Sequence, residues 1–284
     1  MKIYDRCEVE ARPFSPLKTL GDFGLNLLFP ATCSTCGKRL GWRDSETPAP
    51  LAPICTDCWS EVRLIQQPMC LRCGYPISDD SDGDSLSSEV DGVSSEKIYY
   101  CDFCLPQALR ENPPAFTQAR SIFYFEGTIR HLIHEFKYQG KIRVGKFLAR
   151  SILKYWEPDS SLPSVECIVP VPVGIKKLRH REFNQSLILA REIAKKLKVS
   201  VYPFALKRVK EVVSQTKLSR QERLENIRDA FRVREGRKVQ GKRILLVDDV
   251  FTTGATASEC SRILLQHGGA RDVQVLTLAR TVFD

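Results

Sequence analysis

The chain has 284 residues, 43% of them apolar, enough for one sizeable core and a second module. No apolar run approaches the roughly 18 residues of a membrane span, and Met1 to Arg12 alternates charges where a signal peptide would be apolar. The expectation is a soluble, cytoplasmic protein without a membrane span. The net charge of +9 hides an asymmetry: residues 79–96 carry seven acids and no base, whereas 176–243 carry twenty-one Lys/Arg against seven Asp/Glu. Such a basic segment suits phosphorylated ligands or nucleic acid.

In the N-terminal arm (1–29), Leu17, Leu20, Phe23, Leu27 and Leu28 fall at helical spacing. The helix they predict is short and poor in cations, so its apolar face is expected to pack on protein rather than lipid. Four Cys-x-x-Cys pairs follow within residues 30–112: Cys33/Cys36, Cys55/Cys58, Cys70/Cys73 and Cys101/Cys104. Two thiolates at this spacing grip one Zn²⁺ from a tight turn, and a second pair closes a tetrahedral structural site. Eight ligands make two four-cysteine zinc sites, most simply 33/36 with 55/58 and 70/73 with 101/104, although spacing alone also admits a crossed pairing. Four pairs this close together do not suit redox chemistry, which uses one pair on a thioredoxin-like unit.

Residues 78–96, acidic and rich in Ser and Gly, read as a disordered loop inside the second zinc unit. Tyr99, Tyr100 and Phe103 beside the last cysteine pair suit base stacking, though such aromatics more often just pack. Asn112-Pro113-Pro114 marks a domain boundary, and 113–284 forms the larger domain.

That domain alternates strand and helix patterns, predicting an α/β fold with a mostly parallel sheet. Arg120 to Phe125 reads as a strand. Gly127 to Phe136 and Val144 to Tyr155 read as helices, with His131 and His134 as surface or packing residues. Cys167 to Pro170 is the next strand. Beyond it Gly174, Lys176, Lys177, Arg179 and Arg181 form a basic loop, and Asn184 and Gln185 open a helix with an apolar stripe at Leu187, Ala190, Ala194 and Leu197. The polar stretch 206–231, with Arg208, Gln215, Arg220, Arg223 and Asn226, reads as a mobile flap that is helical in part. Cys7, Cys167 and Cys260 stand outside the paired set and read as inert thiols.

Ile244 to Val247 is an apolar run for a strand buried on both faces, followed by Asp248 and Asp249 and then Thr252-Thr253-Gly254-Ala255-Thr256. The helical pattern beyond stops at Gly268-Gly269, and Val273 to Leu278 reads as a last strand. A strand, a small hydroxyl-rich loop and a helix N-terminus present unpaired N–H groups and a positive dipole end to an anion. Carboxylates are poor phosphate ligands, so Asp248 and Asp249 suit sugar hydroxyls or a hydrated metal. Acid at one end and an anion cradle at the other fit a ribose 5-phosphate. No Gly-Lys-Ser/Thr follows, so this is not a Walker A loop.

Val247 to Thr256 resembles the 5-phosphoribosyl-1-pyrophosphate (PRPP) motif of the type I phosphoribosyltransferases. The resemblance implies that Asp248 and Asp249 hold the ribose hydroxyls and that the loop from Thr252 to Thr256 holds the 5′-phosphate. It also implies Mg²⁺ bound with PRPP, and pyrophosphate contacts from the basic loop at Gly174. The paired cysteines, Phe125-Glu-Gly127, Phe136-Lys-Tyr138, Val169-Pro-Val-Pro172, Arg179 to Gln185, Gln215 to Asn226, Ala230-Phe231 and the PRPP motif together resemble the ComF family. This ordered set runs from Leu27 onward, with 78–96 resembling an insertion.

Membership implies a double zinc ribbon ahead of a type I phosphoribosyltransferase fold. It further implies a role in natural transformation or use of external DNA, binding of single-stranded DNA and a competence helicase as partner. Thr252 stands where 6-oxopurine phosphoribosyltransferases place an aspartate as the base, which argues against purine salvage. Two readings stand: a binding module for ribose phosphate and single-stranded DNA, or an Mg-dependent transferase with an unidentified base or nucleotide acceptor.

Overall fold

Helix and strand patterns alternate along the chain, and the computed structural model describes residues 32–40, 53–77, 99–104, 114–156, 164–210 and 220–282. Contacts divide the chain into two units, Met1–Cys55 and Thr56–Asp284. The N-terminal helix, the acidic stretch 78–96, Cys7 and Gln215 lie outside the described residues.

In the first unit Thr32 bridges antiparallel to Arg39. Cys33 N–H donates to Lys38 O, and Gly37 N–H to Cys33 O, closing a tight turn. The second unit runs α1 (Thr56–Ser60), β1 (Gln118–Tyr124), α2 (Gly127–Tyr138), α3 (Ile142–Tyr155), β2 (Cys167–Pro170), α4 (Ile175–Arg181), α5 (Gln185–Leu197), β3 (Ser200–Val201), β4 (Leu206–Arg208), α6 (Arg220–Ile227), β5 (Phe231–Val233), β6 (Arg243–Phe251), α7 (Ala255–Gln266) and β7 (Asp272–Arg280). Its cysteine turn repeats the first: Cys70 N–H donates to Tyr75 O, and Gly74 N–H to Cys70 O.

The main sheet has the order β1-β7-β6-β2-β3, and every pair in it is parallel. All four residues of β2 are buried, as are Ile244 to Val247 of β6. This continuous apolar character is what a parallel strand covered by helices on both faces requires. After β2 the chain crosses to β3 on one side, and after β6 it crosses to β7 on the other. The C-terminal ends of β2 and β6 therefore flank a topological switch point, where open α/β sheets bind ligands.

The free edge of β1 is covered by the second cysteine turn and the segment leading to it. Ala119 N–H donates to Arg72 O at 2.7 Å, Ile65 N–H to Ile122 O at 2.9 Å and Tyr124 N–H to Arg63 O at 3.1 Å. A covered edge cannot recruit another strand. Gly74 makes the approach feasible: it adopts φ +68°, and a Cβ there would sit 2.7 Å from Ala119 O. The sequence places a domain boundary at 112–113, whereas by contacts this turn is continuous with the sheet.

Three elements differ from the sequence reading. Residues 175–181, expected as loop, form α4, since no Gly or Pro interrupts them between the Gly174 cap and the left-handed Glu182. The ends of the expected flap form an antiparallel pair, β4 with β5, with α6 between them. On α5 the buried positions are Gln185, Ser186, Leu189, Ala190, Ile193 and Ala194. Leu187 and Leu197 are only partly buried, so the expected stripe is displaced. An apolar count over a helix with aliphatic residues on several faces does not reveal which face meets the sheet. Replacing Leu189, fully buried, with Ala should cost about 3 kcal/mol in denaturant unfolding. Leu187→Ala should cost less than half as much; equal losses would contradict this orientation.

Candidate functional site

β6 does not stop at the acids. It continues through Asp248 and Asp249 to Phe251, because β7 runs alongside it and pairs Asp248 with Thr277 and Phe251 with Arg280. The acids are thus held on sheet backbone rather than on a loop.

Residues 252–254 then turn the chain into α7. Gly254 is the N-cap, at φ +79°, and no side chain caps the helix, so first-turn amides are left for another acceptor. A Cβ at Gly254 would lie 2.7 Å from the Phe251 ring, so both the conformation and the space demand glycine. Thr253 and Ala255 are buried, whereas Thr252 and Thr256 are partly exposed.

Asp248 Oδ1 accepts from Ser186 Oγ at 2.9 Å and from Asp249 N–H at 2.9 Å. Asp249 Oδ1 pairs with Lys137 Nζ at 2.8 Å, and both side chains are mostly buried. Burial first, and the neighbouring Asp249 charge second, push the Asp248 carboxyl up to about 7; Lys137 and Ser186 act against the rise. Lys137 and Ser186 were missed as site residues by sequence reasoning. Ser186 directly follows Asn184-Gln185, and Lys137 sits within Phe136-Lys-Tyr138, but only the fold brings them to acids 62 and 112 positions away.

The basic residues named from the sequence are differently employed. Gly174 is buried at the N-cap of α4. Lys176 and Arg179 lie on the exposed face of that helix, and Lys177 is partly exposed. The Arg181 guanidinium lies 4.8 Å from the Tyr138 ring centroid and donates to Gln185 Oε1 at 3.3 Å. Asn184 caps α5 by accepting from Ser186 N–H and donates to Val171 O, so it shapes the loop rather than offering itself to an anion. Arg208 stays on the β4–β5 pair, with Nε donating to Lys210 O and its guanidinium over Phe231. Arg220 and Arg223 lie on α6.

His134 packs its ring on Tyr138 and His131 faces Glu135, as packing residues do. Cys167 and Cys260 are fully buried, and burial pushes the Cys167 thiol up to about 11, which suits inert thiols. Of the three aromatics near the last cysteine pair, Tyr99 and Tyr100 are partly buried and Phe103 is 45% exposed.

Two cysteine groups assemble: Cys33, Cys36, Cys55 and Cys58, and Cys70, Cys73, Cys101 and Cys104, each with sulfurs within 4.8 Å of one another. This is the simpler of the two pairings that spacing allows. Cys36 and Cys55 sulfurs are 3.7 Å apart, and Cys73 and Cys101 sulfurs 3.6 Å. A tetrahedral zinc with bonds of about 2.3 Å needs sulfurs about 3.8 Å apart, so both sets fit a closed Zn²⁺ site.

A family model of the double zinc ribbon domain matches residues 24–105, and one of the phosphoribosyl transferase domain matches 184–281. DNA utilization protein YhgH of Salmonella typhi is 30% identical over 232 residues, covering 81% of this chain and 91% of the relative. The chain belongs to the ComF family. Competence protein F of Haemophilus influenzae is 28% identical over 234 residues, 80% of this chain and 90% of that protein. Competence protein ComFC of Bacillus subtilis is 25% identical over 263 residues, 91% and 97% of the two chains. The ComF architecture here is a double zinc ribbon and a type I phosphoribosyltransferase fold, whose motif supplies the acid pair and the uncapped loop.

The acid pair has a measurable signature. With its carboxyl raised from 3.8 to about 7, folded Asp248 holds its proton more tightly than the unfolded chain does. Stability therefore falls as pH rises from about 4 to about 7. Asp248→Asn lacks this slope, so its stability relative to wild type should rise across that window by up to about 4 kcal/mol and then level off. Parallel pH profiles for the two proteins would refute the assignment.

Proposed function

We propose that this ComF protein binds a 5-phosphorylated ribose, with PRPP as the full ligand, and that it binds single-stranded DNA in DNA uptake. The observation that carries the reading is the uncapped α7 N-terminus at Gly254, one short loop from Asp248 and Asp249. Thr252, Thr253, Gly254, Ala255 and Thr256 would take the 5′-phosphate through backbone N–H groups and hydroxyls. Asp248 and Asp249 would accept from the ribose hydroxyls, with Lys137 holding Asp249 in place. Lys176, Lys177, Arg179 and Arg181, with Gly174, would meet the pyrophosphate, whose charge Mg²⁺ neutralises when bound. Gln215, Arg220 and Arg223 would close over the ligand from the flap, with Arg208 at its base.

The basic segment 176–243 supports single-stranded DNA as a second ligand. Relatives named as a DNA utilization protein and as competence proteins support a role in DNA uptake. That role has a helicase of the competence machinery as partner in the cytoplasm. Among the described residues, no helix is long and apolar enough to cross a membrane. The basic helix α4 also suits a transferase, with pyrophosphate as leaving group and an unassigned acceptor.

A thermal-shift titration with PRPP and Mg²⁺ tests the ribose site. At about 100 times its Kd, PRPP should stabilise wild type by about 2.7 kcal/mol, and Asp248→Asn/Asp249→Asn should not respond. An unresponsive wild type would refute PRPP binding. Binding to an oligodeoxynucleotide should weaken steeply with salt, and a flat salt dependence would refute the DNA reading.

A further inference from the structure

Arg280, at the end of β7, is 3% exposed. A guanidinium buried this deeply needs a counter-charge, yet among the described residues no carboxylate lies within ion-pair distance of it. Its Nη1 instead donates to Cys73 O at 2.7 Å and lies 3.9 Å from Cys73 Sγ. The negative charge available there is the thiolate set of Cys70, Cys73, Cys101 and Cys104. Four thiolates around one Zn²⁺ carry a net charge of about −2, which a buried cation offsets, and outer-shell donors of this kind tune a metal site.

The same guanidinium faces the phosphate loop. It lies 4.8 Å from the Tyr75 ring centroid, on the cysteine turn, and 5.1 Å from the Phe251 ring, at the start of the loop. Phe251 is held from another side by an edge-on contact with Phe116, and its ring fills the space that a Cβ on Gly254 would need. Thr281 N–H donates to Phe251 O at 3.0 Å, and Phe125 N–H to Arg280 O at 2.7 Å, so the peptide unit that joins Arg280 to Thr281 is fixed. One buried cation therefore touches a metal ligand on one side and the ring that shapes Gly254 on the other.

We infer that Arg280 couples the second zinc site to the phosphate loop: the loaded Cys70/Cys73/Cys101/Cys104 cluster holds Arg280, and Arg280 holds Phe251 and the turn at Gly254. Without metal nothing ties Cys73 to the other three cysteines, so the partner that fixes the Arg280 guanidinium loosens and the turn loses the support of Phe251. The ribbon thus acts as a positioning device for the ribose-phosphate site proposed above, in addition to covering the sheet edge. Arg280 is a positioning residue, since it reaches the ligand only through Phe251.

The test uses the zinc-loaded full chain and reads two quantities that need no ligand. These are the rate of zinc transfer to a chelator and hydrogen exchange of the amides from Thr252 to Thr256. Arg280→Lys keeps a charge but loses the fork, and is expected to release one of the two zinc ions about tenfold faster. The loop amides should exchange faster in the same variant, also by about tenfold. Cys101→Ser, with Arg280 intact, should loosen the same amides. Faster zinc release with an unchanged loop, or a loosened loop with unchanged release, would overturn the coupling, as would a Cys101→Ser loop that exchanges like wild type. PRPP stabilisation, read alongside, should be lost in both variants. A wild type that ignores PRPP would sink the ribose-phosphate reading, while exchange and release would still judge the link.

Discussion

Two adjacent carboxylates on a largely buried strand are electrostatically costly, and much of the surrounding structure answers that cost. Asp248 draws a hydroxyl from Ser186 and its neighbour's amide, and Asp249 draws the ammonium of Lys137. These partners come from α5 and α2, helices far apart in sequence. The sheet order brings α5 in over β2 and β6, with β6 carrying the acids. The compensation is incomplete, as the raised Asp248 carboxyl shows. A site left partly uncompensated is one that a ligand with hydroxyl donors can complete.

The turn at Gly254 depends on a different constraint, which is space. Gly254 has both a left-handed backbone and an aromatic ring where a side chain would go. That ring, Phe251, is itself wedged between Phe116 and Arg280. The loop is consequently shaped by residues from β1's approach, from β7 and from the cysteine turn, rather than by its own sequence alone. The apolar cluster that contains Phe251 also includes Cys70, Cys73, Cys101 and Cys104, so the second ribbon and the sheet share one core.

Legibility varied with how local the determining physics is. The all-buried strands β2 and β6 were readable because apolar runs of that length between turn signals have few other uses. The cysteine groups were readable because ligand spacing is set by the metal. The start of α7 was readable because glycine and small hydroxyl residues at a strand end allow little else. The α5 stripe was misread, since Leu187, Leu189, Ile193 and Leu197 are equally apolar and only packing ranks them. The basic loop was misread as irregular because its charges drew the functional reading while its helix-forming composition was overlooked.

The sequence by itself determined the inventory: a parallel α/β sheet, two cysteine groups, an acid pair and a glycine turn at a helix start. Each of these follows from short-range chemistry, namely side-chain period, ligand spacing and the φ that glycine permits. Only the tertiary structure decided that Lys137 and Ser186 serve the acids, that Asn184 caps α5, and that Arg280 lies between a cysteine turn and Phe251. Those pairings are long-range: they depend on which strands neighbour which, and no local pattern in a chain records that.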